Sequence, residues 1–234
     1  MRSVEGRWGT VWFYGKDEYV GKSLYNYGEY NPDETEMIIS LASEKKGLCL
    51  DIGANFGVMA QALEHEGFEC AAFEPQPDVF KVMDRNVRGL KYNCALASTK
   101  GFAKMAKILT GDRANYGGNG LGTRSDLGSI EVPVHTLDEF GFRNVTFIKM
   151  DVEGYEEEAL RGGYKTIMRD RPIMYIEDDR AQKSKSLREY IRSLGYTIQE
   201  HKPLLYREKN FFGKKKNVWA PHNFASHNII CRPC

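Results

Sequence analysis

The segment LCLDIGANFGVMAQAL, residues 48–63, constrains the fold of this chain more than any other stretch. A short apolar run leads to Asp51, glycines follow at Gly53 and Gly57, and a helical pattern then resumes. Glycine permits positive φ angles and close approach of a ligand to the main chain, and the free N–H groups of the following helix attract an anion. The segment therefore predicts a strand, a tight turn and a helix that bind a nucleotide-like ligand.

Asp51 precedes the first glycine of this turn, at the expected carboxyl end of the strand. Its carboxylate can accept hydrogen bonds from an ammonium or a hydroxyl group, whereas it would repel a diphosphate. We therefore expect a ligand that carries a positive charge.

The length and the charge balance of the chain narrow the class of protein. The 234 residues include 33 basic and 32 acidic side chains, so the formal net charge is only +1. Such a length suits one α/β domain with additions, and such a balance gives no broad signal for nucleic acid or a membrane surface. No stretch approaches the roughly 20 apolar residues of a membrane span, and the first residues lack the apolar core of a signal peptide. We expect a cytoplasmic protein whose partner is a small molecule or a glycan.

The first 30 residues are rich in aromatic side chains and contain two β-rich pieces, TVWFY and EYVGKSL, around residues 15–17. Two such pieces around a turn predict a β-hairpin. Residues 1–30 are therefore expected to form a hairpin extension of the main domain, which spans 31–234; the alternative is a lid that faces the ligand. Asn31 and Pro32, followed by acids, predict the start of a helix.

The rest of the chain alternates predicted strands and helices. A second apolar run ends in Glu74, 21 residues after Gly53, and an acid at this point of a βαβ unit reaches ribose hydroxyls. Further buried strands are predicted at residues 145–152 and 172–177, each followed by a helix. This alternation predicts a doubly wound, mostly parallel, Rossmann-like α/β sheet with helices on both faces. Ligands of such sheets bind at the carboxyl ends of the strands.

Residues 111–128 contain six glycines, which a buried element would not tolerate. They predict a long surface loop that gates the substrate. A phosphate cradle at GGNGLG is the weaker alternative, because no Lys-Ser/Thr follows it and no clear helix begins there.

Four motifs, DIGANFG, FEPQPDVF, VHTLDEF and IKMDVEGYEEEALRGG, occur in an order and spacing that resemble the FkbM-type family of S-adenosylmethionine-dependent methyltransferases. The resemblance covers about residues 30–200. It implies the class I methyltransferase fold and S-adenosyl-L-methionine as the cofactor. The sulfonium and ammonium groups of this cofactor supply the positive charge that Asp51 led us to expect.

The resemblance also implies roles for the residues of the glycine turn and of the second strand. Asp51, Gly53, Asn55 and Gly57 would surround the methionine part of the cofactor, and Glu74 would hold its ribose.

Two carboxylates, Asp151 and Glu153, lie two residues apart at the end of the predicted strand at 145–152 and point the same way if the strand continues that far. Either could be the general base that removes the proton of an acceptor hydroxyl, with its pKa raised by a neighbouring acid. Alternatively, Asp151, Glu153 and Glu177 hold a divalent cation that acidifies the hydroxyl. In a third interpretation, Glu153 caps the next helix and only Asp151 contacts the ligand. His222 is a further candidate base, because imidazole titrates near neutral pH.

These observations predict an O-methyltransferase that acts on a hydroxyl of a sugar, a glycan or a small metabolite. An NAD-dependent oxidoreductase is an alternative, although the acid before the glycines and the missing third glycine disfavour it. A non-catalytic module that binds the same cofactor is another. Asp151-Val152-Glu153-Gly154 departs from the Asp/Asn-Pro-Pro-aromatic motif that amino-group DNA methylases share, so nucleic acid is not the expected substrate.

Overall fold

A computed structural model describes residues 1–108, 115–118, 120–122, 128–221, 223 and 226–234. The strands in these ranges are β1 (Arg2–Gly6), β2 (Gly9–Phe13), β3 (Leu48–Ile52), β4 (Glu69–Phe73), β5 (Leu90–Tyr92), β6 (Ala95–Leu96), β7 (Gly101–Ala106), β8 (Ser129–His135), β9 (Val145–Met150), β10 (Ile173–Glu177), β11 (Tyr196–His201) and β12 (Asn228–Pro233). The helices are α1 (Val20–Tyr27), α2 (Pro32–Ala42), α3 (Val58–His65), α4 (Pro77–Asn86), α5 (Glu156–Gly162), α6 (Tyr164–Asp170) and α7 (Ala181–Ser193), with a 3-10 helix at Leu137–Phe140.

The central sheet has seven strands in the order β11-β12-β10-β9-β3-β4-β5. Strands β10, β9, β3, β4 and β5 pair in parallel, whereas β12 pairs antiparallel with β10 and with β11. The remaining strands form a sheet β6-β8-β7 and the hairpin β1-β2. The structure confirms the predicted doubly wound, mostly parallel sheet.

Helices cover both faces of the central sheet because alternate strand residues point to opposite sides. Leu50 and Ile148 belong to the apolar cluster that includes side chains of α5, α6 and α7. Cys49 and Phe147, one residue earlier in each strand, pack with side chains of α2 and α3. Full burial of a large apolar side chain is worth about 1.5–3 kcal/mol, so these two clusters hold the sheet between its helices. None of the helices in the described part of the chain is both long and apolar enough to cross a membrane.

The N-terminal hairpin differs from the predicted one. It pairs β1 with β2 and turns between Gly6 and Gly9, so the predicted turn at residues 15–17 is wrong. The piece EYVGKSL falls largely in α1 because its apolar side chains repeat at helical spacing, which outweighs the β-propensity of its residues. Asp17 supports the start of α1, since its Oδ2 accepts the N–H groups of Tyr19 and Gly21. A division into two domains at residue 30 stays a prediction.

The other boundaries near the predicted site agree better with the sequence. Helix α2 begins at Pro32, as predicted, but the side chain of Asn31 makes no cap to the helix backbone. Strand β10 ends at Glu177, as expected, whereas β4 ends at Phe73, one residue earlier than predicted, and β9 ends at Met150, two residues earlier.

Candidate active site

A cavity of about 320 Å³ opens at the carboxyl ends of β3, β4, β9 and β10. Its volume lies in the range of small-molecule sites, ~300–1,000 Å³. Predicted site residues that line it are Gly53, Asn55, Glu74, Asp151, Glu153 and Glu177. Asp51 and Gly57 do not line it, and His222 lies outside the described residues. The predicted edge of the sheet therefore carries a cavity in which most of the predicted residues meet.

Two glycines of the predicted turn have positive φ angles for different reasons. Gly53 has φ +78°, and a Cβ there would overlap the carbonyl oxygen of Asp151, so the loops after β3 and β9 cross without room for a side chain. Gly57 also has φ +78°, but a Cβ there would lie 2.5 Å from Val87 Cγ2 and 2.9 Å from Met83 Cγ. The packing of α4 therefore accounts for Gly57. Its contact with a cofactor stays a prediction.

Glu74 follows β4 and is only 7% exposed. Its Oε2 accepts the N–H of Asn55 at 3.0 Å, and its Oε1 accepts the N–H of Gln76 at 2.8 Å. Burial raises the pKa of Glu74 to about 7, although both N–H groups favour the charged form. Each oxygen retains a lone pair, so the fixed carboxylate can still accept a hydroxyl hydrogen from the cavity.

Lys149 is a residue of this site that sequence reasoning missed. It lies in β9 and its Nζ is 3.3 Å from Asp51 Oδ1 and 3.8 Å from Asp151 Oδ2, and it donates to the carbonyl oxygen of Gly53 at 2.9 Å. Burial alone would lower the pKa of Lys149, but the carboxylates of Asp51, Asp151 and Glu34 outweigh it and raise the pKa. In this structure the positive charge that faces Asp51 therefore belongs to the chain. Direct contact of Asp51 with a cofactor stays a prediction.

Asp151, Glu153 and Glu177 form an acidic cluster in which one oxygen of each lies within 4.8 Å of the others. Strand β9 ends before Asp151 and Glu153 has φ +56°, so a turn, rather than the expected continuing strand, brings the carboxylates together. Burial and the charge of Asp151 raise the pKa of Glu153 to about 7, while the guanidinium of Arg180, which donates to Glu153 Oε2, opposes the shift. Burial likewise raises the pKa of Glu177 well above its usual range, and Asp151 adds to this.

The structure does not support two of the roles that the sequence suggested for these acids, a helix cap at Glu153 and a divalent-cation site. Glu156, rather than Glu153, binds the backbone before α5, because its Oε1 accepts the N–H groups of Val152 and Gly154. The interpretation of Glu153 as a helix cap is therefore wrong. The three acids are close enough to ligate a divalent cation, but Lys149 and Arg180 already face two of them, so the cation is not supported.

The described part of the glycine-rich loop crosses the cavity. A Cβ on Gly117 would overlap the side-chain amide of Asn55, and a Cβ on Gly120 would lie 2.5 Å from the carbonyl oxygen of Glu153. Tyr116 anchors this part of the loop, since its N–H donates to Asp17 Oδ1 at 3.0 Å. The glycines let the main chain lie directly on two site residues, and the gating role of the loop stays a prediction.

The cavity wall fits the cofactor that the sequence led us to expect. Among the described residues, Asn55 Oδ1 and Glu177 Oε2 are buried side-chain atoms without a hydrogen-bond partner, and both residues line the cavity. Asn55 Oδ1 is an acceptor, and so is Glu177 Oε2 when that acid is ionised; a buried polar atom left unpaired costs about 1–3 kcal/mol. A ligand that brings donors and positive charge would satisfy them. S-adenosyl-L-methionine has an ammonium group, ribose hydroxyls and a sulfonium.

Comparisons with known proteins match this chain to a methyltransferase family. A family model described as the methyltransferase FkbM domain matches residues 51–198. Among solved structures, an FkbM methyltransferase from Methylobacillus flagellatus KT has a TM-score of 0.52 and 17% identity over 79% of this chain and 43% of that chain. This chain thus spans less than half of that protein, and at this identity the likeness shows the fold alone.

Two further solved structures are similar over most of both chains. One is a precorrin-6Y C5,15-methyltransferase from Geobacter metallireducens GS-15, with a TM-score of 0.47, 10% identity and coverage of 85% of this chain and 87% of that chain. The other is a magnesium protoporphyrin IX methyltransferase from Synechocystis PCC 6803 with bound S-adenosylmethionine. Its TM-score is 0.47 and its identity 9%, over 92% of this chain and 84% of that chain. A comparison with curated proteins finds no match.

Proposed function

Because the chain belongs to the FkbM methyltransferase family, we propose that it transfers a methyl group from S-adenosyl-L-methionine to a hydroxyl of a sugar, a glycan or a small metabolite. The family match and the fold confirm the resemblance that the four motifs carry, and they support an S-adenosylmethionine-dependent methyltransferase. An NAD-dependent oxidoreductase is therefore the poorer interpretation of the glycine turn. The O-methyl acceptor and a cytoplasmic location stay predictions.

The residues on the cavity wall suit the binding of this cofactor. When bound, it supplies a methyl group on a sulfonium that leaves readily, so the protein mainly has to align the methyl group with the acceptor oxygen. Glu74 would accept the ribose hydroxyls, because two backbone N–H groups already fix its carboxylate. Asn55 and Asp151 would face the methionine part, with Gly53 leaving room for close approach of the backbone.

The observation that carries the proposal is that Glu153 lines the cavity with a carboxylate oxygen within 4.8 Å of those of Asp151 and Glu177, where burial and Asp151 raise its pKa to about 7. A general base works best when its pKa lies near the working pH, because enough of it is ionised and it still binds the proton well. Glu153 would take the proton of the acceptor hydroxyl on a carboxylate oxygen as the O–C bond forms. Arg180 would keep the base ionised before transfer, and Asp151 would raise its proton affinity.

An activity panel tests this proposal. The purified protein is incubated with S-adenosylmethionine and a set of glycans and hydroxylated metabolites, and S-adenosylhomocysteine release and product mass are measured. On an accepted substrate we expect Glu153→Gln to lower kcat about 10²–10⁴-fold, the usual contribution of a general base. Calorimetry should give nearly the same Kd for S-adenosylhomocysteine. Glu157→Gln is the matched control, because Glu157 bonds Arg161 and Ser186 and does not line the cavity.

Two outcomes would contradict the assignment in different ways. Cofactor binding without methylated product across the panel would favour the non-catalytic module. Full turnover by Glu153→Gln would move the base to another group, and Asp151→Asn and His222→Ala would be measured next.

A further inference from the structure

Glu34 is a buried acid on the cavity wall that the proposed reaction does not use. It lies in the first turn of α2, before residues 51–198, and is 6% exposed. Among the described residues, its side chain has one hydrogen bond, in which Asn31 Nδ2 donates to Oε2. Glu34 is also one of the residues that line the cavity. The segment outside the family match therefore contributes an acid to the site.

The charges around Glu34 are not balanced by the chain itself. Lys149 is the cation that opposes its protonation, but Lys149 already lies 3.3 Å from Asp51 and 3.8 Å from Asp151. One buried lysine thus faces three acids. Burial raises the pKa of Glu34 to about 8, and the carboxylates of Asp151 and Asp51 add to this shift. An ionised buried acid without its own cation is costly, so Glu34 holds its proton near neutral pH, and a ligand that brings a cation to this wall would favour its ionised form.

The position of Glu34 selects one part of the cofactor. Thr35, the next residue of α2, donates to Met59 Sδ at 3.2 Å, so this turn of α2 lies against α3, which begins directly after the glycine turn. The carboxylate of Asp151 acts on the pKa of Glu34, whereas the carboxylate of Glu74 is held by the N–H groups of Asn55 and Gln76. Glu74 is assigned to the ribose, and the sulfonium must face the acceptor. The ammonium group is the remaining cation of the cofactor.

We propose that Glu34 binds the α-ammonium group of S-adenosyl-L-methionine and so makes α2 part of the cofactor site. This inference rests on the proposed function, because it presupposes that cofactor. The competing explanation is that Glu34 only stabilises the start of α2, where an acid interacts favourably with the helix dipole. That role would affect the stability of the protein but would not distinguish between ligands with and without an amino-acid end.

Two nucleosides separate these explanations. S-adenosylhomocysteine has the amino-acid end, whereas 5′-methylthioadenosine has the same adenosine and thioether without it. Calorimetry is run with both on the wild type, on Glu34→Gln and on Glu36→Gln. Glu36 is the matched control, because it lies on the same helix, does not line the cavity and pairs with Arg207 at 2.6 Å.

We expect Glu34→Gln to weaken S-adenosylhomocysteine about tenfold or more, the size of one lost charged hydrogen bond, and to leave 5′-methylthioadenosine within about twofold. Glu36→Gln should leave both affinities unchanged. An equal loss for both nucleosides, or no loss for either, would overturn the proposal. If the wild type binds neither nucleoside, the proposed function itself fails, so the two failures are distinguishable.

A measurement on the wild type covers the case in which Glu34→Gln does not fold. Binding of S-adenosylhomocysteine near pH 7 should release more protons than binding of 5′-methylthioadenosine, because Glu34 must ionise to meet the ammonium group. The other ionisable groups that interact electrostatically with Glu34 are Lys149, Asp51, Asp151, Tyr30 and Tyr175. Calorimetry in buffers of different ionisation enthalpy measures the release. Equal release for the two nucleosides would contradict the proposal.

Discussion

Glu74 and Glu153 both line the cavity and both have a pKa of about 7, yet different contacts hold their carboxylates. Glu74 accepts two backbone N–H groups, from Asn55 and Gln76. Glu153 is held by the side chain of Arg180, which is 42% exposed, and its own backbone has φ +56°. Backbone donors are fixed by the fold, whereas an exposed arginine can rearrange.

This difference suits the two tasks assigned to the carboxylates. A cofactor of constant shape is bound well by groups that hardly move, because little ordering is needed on binding. An acceptor hydroxyl requires a base whose proton affinity is adjustable, and a charged partner such as Arg180 adjusts it. Substitutions near Glu74 should therefore affect affinity, whereas substitutions near Glu153 should affect turnover and its pH dependence.

The largest effect is expected at Gly53, where the loops after β3 and β9 cross. We call the turn at Gly53 together with Glu74 the rigid half of the site, and its geometry depends on this crossing. Gly53→Ala places a Cβ on the carbonyl oxygen of Asp151, so we expect loss of S-adenosylhomocysteine binding and a large drop in Tm. Gly67→Ala is the control, since Gly67 has φ +89° but nothing lies within 4 Å of its Cβ position. It should cost only the left-handed strain, about 1–2 kcal/mol. Equal Tm values for the two variants would show that the loops can separate freely.

The next effect is expected at Glu74, where affinity and turnover should separate. Glu74→Gln turns an amide N–H₂ toward backbone donors, so we expect the Kd of S-adenosylhomocysteine to rise about 10–100-fold, the size of a lost charged hydrogen bond. The kcat at saturating cofactor should stay near the wild-type value. Glu69→Gln, at the exposed start of β4, is the control. If Glu74→Gln lowers kcat but leaves the Kd of S-adenosylhomocysteine unchanged, Glu74 acts in turnover and does not differ from Glu153 in its task.

The smallest effect is expected for a substitution of Arg180, and it is a shift in the pH dependence of activity. Activity should rise with pH through about 7 as Glu153 ionises. The guanidinium of Arg180 lowers the pKa of Glu153, so Arg180→Gln should raise it and move the rising limb of kcat/KM to higher pH. Activity should therefore fall severalfold at pH 6 and little at pH 9. Arg192→Gln, at an exposed position of α7, should leave the profile in place. If the rising limb of the kcat/KM profile stays at the same pH in Arg180→Gln, the group that titrates is not Glu153.

The sequence predicts the rigid half of the site well because its geometry is local. The turn at Gly53 and the acid at Glu74 lie within one βαβ unit, whose strand and helix lengths fix where both residues come to lie. The same local logic fails for Glu153. The expected strand continuation does not occur, and a turn with positive φ brings Glu153 beside Asp151 instead.

The partners of Asp51 and Glu153 could not be predicted from sequence spacing, because Lys149 and Arg180 are distant from them in the chain. Lys149 meets Asp51 only after β9 has paired with β3, and Arg180 meets Glu153 only after β10 has paired with β9. A lysine inside the otherwise apolar run VTFIKM was a visible signal of a buried charge. Glu34 showed only a helix start, and its burial depends on the packing of α2 against α3. Helix α1 was missed because its aromatic residues suggested strands.

A crystal structure with S-adenosylhomocysteine would show directly whether the cavity at the strand ends aligns this cofactor with an acid. We predict ribose hydroxyls within hydrogen-bonding distance of Glu74 and a sulfur atom that faces the side of the cavity lined by Asp151 and Glu153. A nucleoside bound elsewhere, or bound here with its sulfur turned away from both acids, would contradict it.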